Sequence, residues 1–290
     1  MTASWSTLVQ AEALAGALGR EDLAVVDCRH SLADPDAGAA AFATGHVPGA
    51  VHAHMDRDLS GTAAPGTGGG RHPWPRVQDF CARLGTWGIT PHHQVVACDG
   101  GDGAFAARLW FLLRALGHAR VAVLDGGWAR WQSLGLPVEV TVATPAPARY
   151  SGSFDESRLL DAGGVQAHLE SGGLLLDARG GARFRGESEP IDPVAGHVPG
   201  AVNRPYVDNL DGEGRLLPAE ALRDGFQRLM AGRETGQVAV MCGSGVTACH
   251  HLLAMAHAGL PGAKLYTGSW SGWIEDPVRP VARWMNTAGC

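Results

Sequence analysis

Three groups of residues occur twice in this chain, in the same order and at nearly the same spacing. Asp27-Cys28-Arg29 returns as Asp177-Ala178-Arg179, and Gly45-His46-Val47-Pro48-Gly49-Ala50-Val51 returns as Gly196-His197-Val198-Pro199-Gly200-Ala201-Val202. Asp125-Gly126-Gly127-Trp128, with Trp131, returns as Thr267-Gly268-Ser269-Trp270, with Trp273. The offsets between copies are 150, 151 and 142 residues. Landmarks kept over such a distance belong to a duplicated domain, not to a short solenoid repeat. The length of 290 residues agrees with two domains of ordinary size.

Within each half, short β-branched runs alternate with helical ones, the pattern of βαβ units in a parallel sheet. Leu23–Asp27, Gln94–Cys98 and Val121–Leu124 read as strands of the first half. Leu174–Asp177, Val238–Met241 and Lys264–Tyr266 read as their counterparts in the second. Residues 103–116 and 246–258 read as helices, each closed by a glycine, Gly117 and Gly259. The expected fold is α/β: two tandem domains, each a parallel sheet with helices on both faces. The domains are expected at 1–140 and 156–290, with a proline-containing linker at 141–155. Residues 61–70, rich in glycine, read as a flexible surface loop.

Bulk properties exclude some classes. A net charge of −6 argues against a nucleic-acid binder. No stretch approaches the ~20 apolar residues of a membrane helix, and the first residues do not form a signal peptide. The six cysteines (Cys28, Cys81, Cys98, Cys242, Cys249, Cys290) include no C-x-x-C pair, so neither a zinc site nor a dithiol redox motif is indicated. A cytoplasmic protein with free thiols, Cys290 being a terminal one, is the expectation. The pairs His92-His93 and His250-His251 lack the nearby acids or cysteines that would complete a metal site. No metal and no organic cofactor are expected.

The two halves differ where chemistry would sit. The first has Val95-Val96-Ala97-Cys98-Asp99-Gly100-Gly101, the second Val238-Ala239-Val240-Met241-Cys242-Gly243-Ser244-Gly245-Val246-Thr247. Alignment sets Asp99 opposite Cys242, which implies one reactive site per chain. Cys242 follows a strand and precedes a helix. Gly243 and Gly245 let the backbone curl into an anion nest, and the helix start adds positive potential. Both favour thiolate, so Cys242 is the candidate nucleophile. A dinucleotide fingerprint, Gly243-x-Gly245-x-x-Ala248, lacks the acid expected about 20 residues on. A cysteine phosphatase would need arginine where Ala248 stands. Sulfur transfer remains.

These residues together resemble the tandem-domain rhodanese family of sulfurtransferases, and the resemblance spans almost the whole chain. It implies a catalytic C-terminal domain, with an N-terminal copy that carries aspartate, here Asp99, at the cysteine position. It implies that Cys242, held in the loop of Gly243, Gly245, Val246 and Thr247, takes sulfur from a small-molecule donor as a persulfide. A thiophilic acceptor (cyanide, a small thiol or thioredoxin) then removes it. Arg183 matches the family arginine that binds the donor's anionic end, with Arg185 a second contact. Ser244 would relay a proton or hold a ketone oxygen, and the family's Ser–His–Asp relay maps onto His46 and Asp36. The Cys-Gly-Ser-Gly-Val-Thr loop resembles that of 3-mercaptopyruvate sulfurtransferases. Thiosulfate enzymes typically place Arg and Lys where Gly243 and Ser244 stand. Against this, mercaptopyruvate enzymes often have an arginine just before Gly-His, and here Glu189-Pro190-Ile191-Asp192-Pro193 has none. Thiosulfate therefore stays open as donor, and so does a non-catalytic persulfide carrier or regulatory module.

Overall fold

The structure, a computed structural model, describes residues 4–284. Cys290 lies outside the described residues. The chain divides into two compact units. The first comprises Met1–Thr62, Trp74–Glu156 and Leu210–Ala219; the second comprises Ala63–Pro73, Ser157–Asn209 and Glu220–Cys290. The division thus differs from a single cut at 141–155: each unit includes a short segment from the other half of the sequence.

Each unit holds a five-stranded sheet. In the first, β1 (Leu8–Val9), β2 (Leu23–Asp27), β3 (Val51–His52), β4 (Gln94–Cys98) and β5 (Val121–Leu124) lie in the order β1-β5-β4-β2-β3. In the second, β6 (Leu159–Leu160), β7 (Leu174–Asp177), β8 (Val202–Asn203), β9 (Val238–Met241) and β10 (Lys264–Tyr266) lie in the order β6-β10-β9-β7-β8. All pairings are parallel. The central strands β4 and β9 are buried along their whole length, as unbroken apolar runs in a parallel sheet require. Helix Ala106–Ala115 follows β4 and is buried almost all round. Helix Ala219–Met230 is amphipathic, burying Leu222, Phe226 and Met230 on one stripe.

The repeated motifs prove to be the frame of each unit. Arg29 chelates Asp27 through Nε at 3.0 and 2.9 Å, donates to the Gly45 carbonyl at 2.7 Å and lies 4.9 Å from the Trp128 ring centre. Arg179 does the same with Asp177, the Gly196 carbonyl at 2.8 Å and Trp270 at 4.7 Å. A buried guanidinium is tolerable only when paired and fully hydrogen-bonded, and each copy supplies a carboxylate, a carbonyl and a ring face. His46 and His197 are paired in the same way. Each stacks on a phenylalanine at 3.8 Å and bonds through Nδ1 to that residue's carbonyl, Phe42 at 2.8 Å or Phe184 at 2.7 Å.

Candidate active site

Register puts Asp27 beside Cys98 and Asp177 beside Met241. The next residues, Asp99 and Cys242, therefore leave equivalent strand ends. Cys242 is almost wholly buried, at 2 % exposure. Its carbonyl accepts from the Trp270 N–H at 3.0 Å and the Gly243 carbonyl from the Ser271 N–H at 2.8 Å. Its own N–H donates to Ser269 Oγ at 3.1 Å, and that hydroxyl donates to the Tyr266 carbonyl at 3.0 Å. Gly245 has φ +77°, a turn that admits glycine freely, and the chain then enters helix Ala248–His257. Ser244 is also buried, Val246 lines the core, and Thr247 is the N-cap residue of the helix.

Two guanidinium groups lie over this loop. Arg183 comes from the short helix Gly181–Arg185; its Nε donates to Glu189 at 3.0 Å and its Nη2 to Asp192 at 2.9 Å. Arg185, by contrast, makes an exposed pair with Glu187, at 2.7 Å. The second guanidinium belongs to Arg71, which also bonds Asp192. A Cβ at position 243 would stand 3.0 Å from Arg71 Nη2 and 3.5 Å from Arg183 Nη2. Gly243 thus leaves the space these cations fill, and the cations come from outside the loop. Burial pushes the Asp192 acid up, while Arg71 and Arg183 pull it the other way without reversing the shift. Burial acts on Glu189 too. There the bond from Arg183 and the N–H groups of Asp192 and Ile191 win, and its acid lies below the usual range.

Arg71 sits on a strap that composition alone marks as flexible. The N–H groups of Gly68 and Gly70 donate to the two carboxylate oxygens of Glu275 at 2.9 Å each, and the Arg71 N–H donates to Ser271 Oγ at 3.1 Å. The strap lies so close that a Cβ on Gly268 would overlap the Gly68 carbonyl. Between the strap and Ile191–Pro193 opens a cavity of about 490 Å³, lined by Ala63, Pro65, Arg71, Ile191, Asp192, Ser271 and Ile274 among others.

The same strap corrects the expected relay. The histidine beside Ser244 is His72, its Nδ1 2.7 Å from Ser244 Oγ and its side chain buried. His46 does not play this part. Its Nδ1 lies 2.8 Å from the Phe42 carbonyl and its Nε2 3.3 Å from that of Thr141, so both ring nitrogens face backbone oxygens. Asp36 is exposed and stands 3.7 Å from His54 Nε2 and 3.6 Å from Arg57, not beside His46. One signal could have found His72. His46 has a twin in His197, as frame residues do, whereas Gly70-Arg71-His72 returns as Gly214-Arg215-Leu216, so the arginine is repeated and the histidine is not, as befits chemistry performed once per chain.

In the first unit the equivalent nest is filled from within. The Asp99 carboxylate accepts four backbone N–H groups: Gly101 and Gly103 on Oδ1, Phe105 and Ala106 on Oδ2, all at 2.9–3.1 Å. Burial and neighbouring Asp102 nonetheless push its acid up to about 6. The pair His250 and His251 is buried on the helix after Cys242, where the Asn209 amide meets both rings at 3.2 and 2.9 Å.

The rhodanese-like domain model matches residues 10–134 and again 161–276. A Pseudomonas aeruginosa protein named a probable 3-mercaptopyruvate sulfurtransferase is 48% identical over 96% of this chain and 99% of its own. A Mycobacterium tuberculosis protein, provisionally named a thiosulfate sulfurtransferase, is 38% identical over 98% of this chain and 99% of its own. The solved 3-mercaptopyruvate sulfotransferase of Escherichia coli superposes with a TM-score of 0.78 at 30% identity, covering 92% of this chain and all of that one. With two rhodanese domains built on parallel sheets, and with relatives of this kind along its whole length, the chain belongs to the rhodanese family and is a sulfurtransferase.

Proposed function

We propose that the chain moves the sulfur of 3-mercaptopyruvate through a persulfide on Cys242 to a thiol acceptor. The observation that carries this reading is the Ser244–His72 pair set next to Cys242 beneath two arginines. A keto acid needs a hydroxyl near its ketone and a cation for its carboxylate; thiosulfate has no ketone. The Cys242 thiolate attacks the donor sulfur. The new S–S bond forms as the C–S bond breaks, and the electron pair leaves on carbon as pyruvate enolate. Ser244, relayed by His72, delivers the proton that yields pyruvate. Arg183 and Arg71 hold the carboxylate, charge-assisted bonds suited to a planar anion. Arg185, paired with Glu187 in solvent, is at most an outer contact. An acceptor thiolate, from a small thiol or thioredoxin, then attacks the outer sulfur and releases Cys242 as thiolate. Cys242 is in no disulfide, as the chemistry of a thiol nucleophile requires.

Steady-state rates with mercaptopyruvate and thiosulfate, side by side, test the reading. Mercaptopyruvate should have the higher kcat/KM, and Cys242→Ser should abolish turnover of both while keeping the fold. Equal or better use of thiosulfate would overturn the donor assignment. Activity retained by Cys242→Ser would overturn the nucleophile.

A further inference from the structure

Arg71 and Arg183 do not face the Cys242 loop as bare cations. They end a ladder of alternating charge that runs Asp177, Arg179, Glu189, Arg183, Asp192, Arg71. The ladder contains three acids and three arginines, so it carries no net charge. Its two inner acids differ in how they are held. Glu189 is fixed from several sides, accepting from Arg183, from Arg179 and from the N–H groups of Ile191 and Asp192, both at 3.1 Å. The Asp192 carboxylate hydrogen-bonds to Arg71 and Arg183, the two guanidinium groups nearest Gly243. Its side chain is only 3% exposed, whereas those of Arg71 and Arg183 are 31% and 19% exposed. It also lines, with Arg71, the cavity that opens beside the strap. A resident anion therefore sits between the two cations that an incoming anion must use.

We propose that Asp192 sets the charge selectivity of the donor site: as a built-in counter-anion to Arg71 and Arg183, it favours a singly charged donor over a doubly charged one. The proposal rests on the mercaptopyruvate reading and deepens it. The physical basis is linear. Repulsion by a fixed charge scales with the charge of the arriving anion, so Asp192 penalises a dianion twice as much as a monoanion in free energy. The site's low exposure leaves little water to screen that difference.

The test compares donors, so a general loss of activity does not mimic the effect. In Asp192→Asn, the ratio of kcat/KM for thiosulfate to that for mercaptopyruvate should rise at least tenfold, mainly through the KM of thiosulfate. Asp192→Glu, which keeps the charge, should return the ratio toward that of the wild type. A parallel fall for both donors in Asp192→Asn would make Asp192 a mere prop and overturn the proposal, as would a ratio that moves toward mercaptopyruvate. Melting temperatures identify a variant that fails to fold. The wild-type protein gives an independent arm: methanesulfonate and sulfate share a shape but differ in charge. Inhibition constants for the two should lie within tenfold of each other, and sulfate bound more than tenfold tighter would mean two uncompensated cations and sink the idea. If the wild type turned over neither donor, the underlying functional reading would fail, whatever these ratios did.

Discussion

Ser269 holds φ at +50°, a left-handed angle that costs an L-residue on the order of 1–3 kcal/mol. Its twin in the first unit, Gly127, has φ +51° at no such cost. The serine persists there because its hydroxyl accepts from the Cys242 N–H and donates to the Tyr266 carbonyl. Ser269→Ala keeps the strain and loses both bonds, so it should lower stability by about 1–3 kcal/mol and reduce kcat. Ser269→Gly loses the bonds but relieves the strain, and should melt above Ser269→Ala. The reverse order in a thermal melt would refute this account. Ser244 and His72 form a second residue-scale unit. Ser244→Ala and His72→Ala should each lower kcat, and the double variant should be little worse than either single one, because a relay fails once. Additive losses would mean that the two act separately. Cys242, Ser244 and Arg183 were legible in sequence because they stand in motifs. His72 and Arg71 were not, since proximity to Ser244 and Gly243 is made by folding across about 170 positions and leaves no local pattern.

Helix Ala248–His257 carries the reactive loop at its start and two buried histidines in its first turns. His251 donates through Nε2 to the Arg204 carbonyl at 2.8 Å and accepts from the Asn209 amide at 2.9 Å, so the neutral ring satisfies both neighbours. Burial lowers its pKa from 6.5 to about 3. The unfolded chain takes up this proton near pH 6.5, while the folded chain refuses it until near pH 3. Between these values the unfolded state binds more protons, so stability falls as the pH falls, by at most about 1.4 kcal/mol per pH unit from this group. Acid unfolding followed by circular dichroism should show the effect, and His251→Gln should flatten the curve between about pH 6 and pH 4. Identical slopes in the two proteins would assign the acid sensitivity elsewhere. The long central elements, β4, β9 and this helix, could be read from apolar runs and closing glycines. The two-residue strands β1, β3, β6 and β8 could not, because two residues show no period. The strap around Gly68 and Gly70 reads as flexible by composition, yet Glu275, about 205 positions away, pins it.

At the scale of the molecule, duplication separates frame from function. What both units share is the buried arginine with its acid and tryptophan, the stacked histidine, and the left-handed turn before Trp128 and Trp270. What only one unit has is the thiol, the hydroxyl of Ser244 where the first unit has Gly101, and the histidine bonded to it. The four N–H groups that Asp99 satisfies show what the nest is for: it binds a negative group, and in the first unit that group is built in. Asp99→Ala should leave those donors buried and unmatched, and at about 1–3 kcal/mol for each such loss the protein should lose at least about 3 kcal/mol of stability. Wild-type protein treated with donor should gain one sulfur atom by intact-mass spectrometry, and cyanide should remove it. A sharper test installs the thiol where the carboxylate was. Asp99→Cys combined with Cys242→Ser gives a chain with a cysteine in the first nest but without the serine–histidine pair there. That protein should gain no sulfur from mercaptopyruvate, because a nest alone favours a thiolate but cannot return a proton to the leaving enolate. A persulfide at position 99 of this double variant would show that the nest suffices and that Ser244 and His72 are dispensable.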